Sequence, residues 1–228
     1  MGELRGLRAA GLVRASGERL AAGEVILSLE GEAAALHQVW KTAQTLMEYL
    51  SGIATCTADI VAAARRANPE IGVACTRKNF PGTKAAAMKA VLCAGASPHR
   101  LSLSETLLVF PEHRAFLADE TPAATVARLR RQWPERALIV EVASEDEAAL
   151  WATAGADIVQ LEKLPPEAVD RIHRRIPGTR IAAAGGINAS NAETYARAGA
   201  AILVTSAPYF AAPRDVAVTL IPSPSIPP

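Results

Sequence analysis

The sequence predicts an α/β protein built from parallel β/α units, and specifically an incompletely regular (β/α) barrel. Between residues 71 and 206, short continuous apolar segments alternate with segments of helical periodicity. Strands that are apolar on both faces are typical of parallel sheets covered by helices. At least six such strands fit between these positions. This number favours a barrel, and a doubly wound open sheet is the alternative.

The composition narrows the class of protein. Of the 228 residues, 50% are hydrophobic and 21% are charged, so the chain can bury a large core. The 24 basic and 23 acidic residues give a net charge of +1, which predicts neither a nucleic-acid nor a membrane partner. No apolar run reaches the ~18 residues of a membrane span, and the N-terminus lacks a signal-peptide core. Three cysteines without metal-type spacing indicate reduced thiols and a cytoplasmic location.

The first 70 residues differ in pattern from the rest of the chain. Segments up to residue 31 contain turn glycines and predict a hairpin. Apolar residues at helical spacing from Ala34 to Leu50 predict a helix with one buried stripe. The segment SGIAT (51–55) predicts a break, and a second helix should run from about 57 to 67 and end before Asn68-Pro69.

The later elements follow from apolar runs, caps and glycines. Thr121-Pro122 and the segment SEDE (144–147) are helix N-terminal signals, whereas Gly95 and Gly155 predict helix ends. Near the C-terminus, DVAVTLI (215–221) is strand-like and should return to the N-terminal sheet. The predicted strands are 71–76, 106–110, 137–142, 156–161, 180–184 and 201–206; the predicted helices are 84–95, 122 onward, 144–155, 166–176 and 190–199.

Polar residues follow the predicted strands, where the carboxyl ends of a parallel barrel form its active-site face. We therefore expect the following residues to converge at one site: Thr76, Arg77, Lys78, Glu141, Glu162, Gly185, Gly186, Thr205 and Ser206. The adjacent pair His99-Arg100 follows the helix that Gly95 ends, and an anion-binding role is the hypothesis for it. No Ser-His-Asp order or histidine-rich metal cluster suggests a competing chemistry.

These residue types suit a phosphorylated sugar. Arg77 offers a planar fork for a carboxylate or phosphate, and Lys78 offers a point charge. The Gly185-Gly186 turn lets the backbone approach a phosphate ahead of a helix. Glu141 and Glu162 could hold Mg²⁺, directly or through water.

The motifs resemble a known family. TRKNFPGTK (76–84) is similar to the TRKTTPGLR motif of the quinolinate phosphoribosyltransferases, also called nicotinate-nucleotide pyrophosphorylases, and SGIAT, HRLSL (99–103), EV (141–142), QLEK (160–163) and AAGGI (183–187) follow in the family order. The resemblance covers roughly residues 10 to 220 and is greatest to a branch found with molybdenum-transport genes. It implies an N-terminal α+β sandwich domain at 1–52 plus 212–228, beginning part-way into that domain, and a barrel domain at 53–211.

The resemblance also implies an activity. Family enzymes join a nicotinate-like dicarboxylate to phosphoribosyl pyrophosphate and release pyrophosphate and CO₂. The acceptor would bind beside Thr76, Arg77, His99 and Arg100, whereas Lys78, Glu141 and Glu162 would be catalytic and would hold the phosphoribosyl group and Mg²⁺ with Gly185, Gly186, Thr205 and Ser206. The family forms homodimers with shared sites, to which Lys41 would contribute from the neighbouring subunit.

Departures from the family pattern bear on the acceptor. Lys41 replaces a family arginine, Glu162 replaces an aspartate, and Pro98 replaces an asparagine. Phe110 stands where the family has a substrate-binding lysine. A buried carboxylate without a charge partner is costly, so quinolinate should fit poorly. The expected acceptor has fewer anionic groups or is not a pyridine dicarboxylate at all.

Two further functions remain open at this point. The chain could be a non-catalytic accessory or binding protein of molybdate transport or molybdenum-cofactor metabolism. It could also be a phosphate-binding aldolase or decarboxylase, which needs a Schiff-base lysine at a strand end. Beyond residue 100, the lysine that lies next to a predicted strand end is Lys163.

Overall fold

The structure is a computed structural model that describes residues 7–100, 105–117 and 119–222. It begins with the predicted hairpin, in which β1 (Leu7–Leu12) pairs antiparallel with β2 (Leu27–Gly31). The two strands form a sheet of their own, separate from the sheet of the barrel.

The prediction of two helices between 34 and 67 is wrong, because α1 runs unbroken from Ala33 to Ala67. Gly52 lies inside this helix, where a glycine costs about 1 kcal/mol relative to alanine. Its missing side chain serves packing, because a Cβ there would clash with the carbonyl oxygen of Ala212. The glycine therefore marks a close approach of distant backbone and not a helix end. The predicted domain boundary after residue 52 falls within α1, and the domain limits stay a prediction.

Within the described residues, seven parallel strands form one curled sheet. The order across it is β4-β3-β9-β8-β7-β6-β5. All six predicted strands are present, and a short strand at 97–98 is an addition. The strands are β3 (Gly72–Cys75), β4 (Ser97–Pro98), β5 (Leu107–Val109), β6 (Leu138–Val142), β7 (Ile158–Glu162), β8 (Arg180–Ala184) and β9 (Ile202–Thr205).

Helices connect the strands, as the capping signals predicted. The Thr121 hydroxyl accepts a hydrogen bond from the N–H of Ala124 at 3.3 Å, and the Ser144 hydroxyl accepts one from Glu147 at 3.2 Å. The helices are α2 (Lys84–Cys93), α3 (Pro111–Arg114), α4 (Pro122–Gln132), α5 (Glu145–Thr153), α6 (Pro166–Arg175) and α7 (Ala192–Arg197), followed by a 3-10 turn at Ala207–Phe210.

The sheet separates two apolar layers. The larger layer packs between the sheet and the helices, whereas the smaller one fills the inside of the curl. Alternation along β8 places Ala182 and Ala184 inside and Ile181 outside, as the two-residue period of a strand requires. With Ala74 and Val204 also inside, small side chains leave room for a cavity at the carboxyl ends of the strands.

The predicted return of 215–221 as a strand is wrong, since residues 211–222 form no strand. This segment instead runs along α1. The N–H of Arg214 donates to the carbonyl of Glu48 at 3.0 Å, and the Gln44 amide donates to the carbonyl of Val216. A backbone carbonyl and a side chain of α1 thus take hydrogen bonds that the pattern assigned to a sheet. In the described ranges, no helix is both long and apolar enough to cross a membrane.

Candidate active site

A cavity of about 710 Å³ opens at the carboxyl ends of the strands. It brings together twelve of the thirteen predicted site residues, which come from all seven strands of the sheet or the loops that follow them. They are Thr76, Arg77, Lys78, His99, Arg100, Phe110, Glu141, Glu162, Gly185, Gly186, Thr205 and Ser206. The structure thus brings the predicted strand-end residues together around one cavity, whereas the role of each residue stays a prediction.

Lys41 does not line this cavity. It lies on α1, where its ammonium donates to the Gln44 side-chain oxygen at 3.0 Å and stands 5.5 Å from the centre of the Trp40 ring. Within one chain it is thus held on the helix surface. That it serves the site of a neighbouring subunit remains a prediction.

The two carboxylates of the cavity end adjacent strands. Glu141 accepts a hydrogen bond from the Gln160 amide at 2.6 Å. Partial burial, followed by the nearby charge of Glu162, raises the pKa of Glu141 above its ordinary value. Sequence reasoning missed Gln160 as a cavity residue, although a lone polar residue in the apolar run IVQL (158–161), two positions before Glu162, was a usable signal.

The donor set fits Mg²⁺ brought in with a phosphate. Two carboxylates face the cavity, and the side-chain oxygen of Gln160 is buried without a hydrogen-bond partner. Among the described residues, no group of three or more His, Cys, Asp or Glu could hold a metal alone. Mg²⁺ is usually bound by one or two carboxylates together with substrate phosphates, and Glu141 and Glu162 meet that requirement.

A second group of cavity residues is cationic. The backbone N–H of His99 donates to the carbonyl of Cys75 at 2.8 Å, which fixes the loop after β4 against β3. Burial, and then the charges of Arg100 and Arg77, lower the pKa of His99, so its imidazole is neutral at pH 7. A neutral imidazole within electrostatic reach of two guanidinium groups can still donate a hydrogen bond to a carboxylate. Residues 101–103 of the HRLSL motif lie outside the described residues.

The glycine turn after β8 has the backbone that its sequence predicted. Gly185 and Gly186 have φ angles of 87° and 79°, a region that favours glycine. Both asparagine side chains of the following loop, Asn188 and Asn191, donate to the carbonyl of Gly186, at 3.2 and 3.0 Å. The following helix, α7, has six residues, fewer than the predicted 190–199. A phosphate here would therefore be bound by the backbone of the turn and not by the N-terminus of a long helix.

Hydroxyl groups join β3 to β9 beneath the cavity. Thr76 donates to the Ser206 hydroxyl at 3.0 Å, and the Tyr209 hydroxyl donates to the carbonyl of Thr76 at 2.8 Å. Thr205 is buried and donates to the carbonyl of Ile187 at 2.7 Å. Its only hydroxyl proton is therefore engaged in holding the turn after β8, while Ser206 faces the cavity.

Arg114 is a supporting residue that sequence reasoning missed. Its guanidinium donates to the carbonyl of Glu141 and to the Glu147 carboxylate, both at 3.0 Å. It also stands 5.5 Å from the centre of the Trp151 ring. These contacts tie α3 to the end of β6 and so fix the position of Glu141. Position 114 carries no sequence signal beyond an ordinary arginine.

Comparison with known proteins gives a consistent assignment. The model of the quinolinate phosphoribosyl transferase N-terminal domain matches residues 4–51, and that of the C-terminal domain matches 53–219. A ModD pyrophosphorylase of Rhodobacter capsulatus is 48% identical over 191 residues, which are 82% of this chain and 74% of that protein. The ModD pyrophosphorylase of Pasteurella multocida is 41% identical over 90% of this chain and 74% of its own length.

Solved structures agree. NadC from Streptococcus pyogenes superposes with a TM-score of 0.78 at 28% identity, covering 87% of this chain and 70% of that one. The nicotinate-nucleotide pyrophosphorylase from Francisella tularensis gives a TM-score of 0.83 at 23% identity, covering 92% and 74%, and so shares the fold. The chain belongs to the quinolinate phosphoribosyl transferase family, whose members are pentosyltransferases, and it resembles the relatives named ModD.

Proposed function

We propose that the protein transfers a phosphoribosyl group from phosphoribosyl pyrophosphate to a carboxylate-bearing acceptor, with Mg²⁺ bound alongside the pyrophosphate. The observation that supports this proposal is the net charge of the residues that line the cavity. Among its described lining residues, four are cationic and two are carboxylates: Arg77, Lys78, Arg100 and Lys163 against Glu141 and Glu162. This excess of positive charge suits polyanionic substrates.

The chemistry follows from what such a site can stabilise. As the bond from the anomeric carbon to pyrophosphate breaks, the electron pair leaves with pyrophosphate and the sugar becomes cation-like. A nucleophilic atom of the acceptor then forms the new bond to that carbon. Lys78 would neutralise the leaving group, while Arg77 and Arg100 would hold the acceptor in line, so positioning and charge neutralisation supply most of the rate. Mg²⁺, when bound, would supply further charge neutralisation at the pyrophosphate.

Phe110 restricts the acceptor. Its half-buried ring lines the cavity beside Leu108 and packs 5.6 Å from the Arg100 guanidinium. An apolar ring here adds a surface for a planar ring and supplies no cation. Two carboxylates on one acceptor would leave the second desolvated without a charge partner, at a cost of ~1–3 kcal/mol. The acceptor we propose is accordingly a planar monocarboxylate.

Phe110→Lys tests this acceptor choice. The variant should raise kcat/KM for quinolinate by about tenfold, because a cation would then face the second carboxylate. Phe110→Leu is the matched control: it keeps the wall apolar and should leave quinolinate a poor substrate. If the wild type already uses quinolinate as well as Phe110→Lys does, the monocarboxylate proposal is wrong.

Calorimetry with phosphoribosyl pyrophosphate and Mg²⁺ tests the function itself. We expect saturable binding below millimolar concentration, followed by release of pyrophosphate once a suitable monocarboxylate is added. Binding without pyrophosphate release across a panel of carboxylates would favour the non-catalytic accessory protein. If folded protein does not bind phosphoribosyl pyrophosphate at millimolar concentration, the transferase is excluded. An accessory protein that binds this ligand without turnover is then excluded as well.

The assembly and the pathway are also proposals. We infer a homodimer in which Lys41 enters the partner's site, because the cavity of one chain excludes Lys41 and the resembled family shares sites in this way. A role in molybdenum metabolism is inferred from the similarity to relatives named ModD. The homodimer thus rests on the resemblance and on the position of Lys41, whereas the role in molybdenum metabolism rests on the resemblance alone.

A further inference from the structure

Lys163 has an unusual backbone for its residue type. Among the described residues, it is the non-glycine residue with a positive φ angle, 56°. It directly follows β7, and its N–H donates to the carbonyl of Ala184 at 2.8 Å, which extends the pairing of β7 with β8. Left-handed backbone at a lysine is unfavourable and tends to persist at functional sites.

The neighbouring strand is shaped to receive this side chain. A Cβ on Gly185 would lie 2.5 Å from Cγ of Lys163 and 3.0 Å from its backbone nitrogen. The aliphatic stem of Lys163 therefore lies over the glycine turn that is proposed to receive a phosphate. The same glycine is required twice, for its own positive φ and for the room that it gives to Lys163.

The ammonium of Lys163 has unused hydrogen-bonding capacity. Within the described structure, its nitrogen lies 3.8 Å from an oxygen of the Glu162 carboxylate. This distance is longer than that of a charge-assisted hydrogen bond. The side chain is 77% exposed, although it lines the cavity. Such exposure does not suit a Schiff-base lysine, which is activated by desolvation. Three N–H donors are thus available to a ligand in the cavity.

We propose that Lys163 is a substrate-binding residue that holds the phosphate or pyrophosphate oxygens above the Gly185-Gly186 turn. This inference rests on the proposed phosphoribosyltransferase function. Lys78 follows β3 and Lys163 follows β7, so the two ammonium groups reach the cavity from different strands. Both would contact the same polyanion, and the strained backbone of Lys163 keeps its stem over the turn.

Lys163→Gly separates this role from a structural one. Glycine accepts the positive φ, so the variant should melt at the same temperature as the wild type or higher. Its dissociation constants for inorganic pyrophosphate with Mg²⁺ and for phosphoribosyl pyrophosphate should rise by about fivefold or more, the effect of one lost charge contact. Lys163→Arg should restore affinity to within about twofold. Lys89→Ala removes an exposed ammonium from α2, outside the cavity, and should change neither constant.

Calorimetry on the four proteins distinguishes the outcomes. If the wild type binds both ligands and Lys163→Gly binds them equally well, the role of Lys163 is overturned and the proposed function stands. A wild type that binds neither ligand overturns both. Weaker binding by Lys163→Gly, with an unchanged or higher melting temperature and rescue by Lys163→Arg, establishes the binding role.

Discussion

Arg77→Ala should lower kcat/KM for the acceptor by at least about 100-fold, or ~2.7 kcal/mol. Arg77 is exposed at the end of β3 and faces the cavity. Its charge contributes to lowering the pKa of both His99 and Arg100, so it lies within electrostatic reach of both groups. Removing it deprives a carboxylate acceptor of a planar bidentate partner in a partly desolvated site.

The rate of pyrophosphate release at varied acceptor concentration measures this effect. Arg77→Lys is the matched control and should recover part of the loss, because a point charge replaces the fork. The melting temperature should change little, since Arg77 is exposed and its side chain has no hydrogen bond or ion pair with another described residue. An unchanged kcat/KM would remove Arg77 from the site.

The same variant tests the shared site of a homodimer. If Lys41 of each subunit serves the other's cavity, Lys41→Ala and Arg77→Ala subunits are each inactive alone. Random exchange in a C₂ dimer should then restore about a quarter of the wild-type activity, because half of the dimers are mixed and each has one intact site. A monomer in solution that is fully active would contradict the shared site.

Glu141→Gln should lower kcat by at least about tenfold and at the same time raise stability at pH 7. The glutamine keeps the shape of the side chain and can still accept the hydrogen bond from Gln160. It removes the negative charge proposed to face the substrate and Mg²⁺. Glu112→Gln removes a carboxylate that acts on Glu141 from outside the cavity, so it should retain most of the activity.

The gain in stability follows from the raised pKa of Glu141. Burial makes its charged form less favourable in the folded protein than in the unfolded chain. The penalty is absent where both states are protonated, below the ordinary pKa of 4.5, and develops as the pH rises through the raised folded pKa. The stability difference between Glu141→Gln and the wild type should therefore be present at pH 7 and vanish on acidification. Chemical denaturation at several pH values measures it, and a variant less stable at pH 7 would contradict it.

Much of the site could be predicted because parallel strands impose their own geometry. Each apolar run that ends in a polar residue places that residue at the same edge of the sheet. To predict that Arg77, Glu141 and Glu162 line the site, it was enough to identify the strands. The packing between strands did not have to be known. Likewise, the caps at Thr121 and Ser144 act over three residues, so local sequence reveals them.

Other features depend on contacts between segments distant in the chain. Gln160 is a cavity residue because β6 and β7 are neighbours, which brings its amide to Glu141. Arg114 supports the site through a carbonyl 27 residues away. The polar residue at position 160 was visible in the sequence, but its partner Glu141 was not, and nothing local marked Arg114.

By itself, the sequence determined the parallel β/α order, the polar strand ends and the glycine turn, because hydrophobic period, capping and backbone freedom are local properties. The tertiary structure alone decided that Gly52 continues a helix, because Ala212 packs where a side chain would be. It also decided that the C-terminal segment follows α1, whose side chains take its backbone hydrogen bonds. The left-handed backbone of Lys163 over Gly185 likewise needs two adjacent strands in register, and that register exists only in the folded sheet.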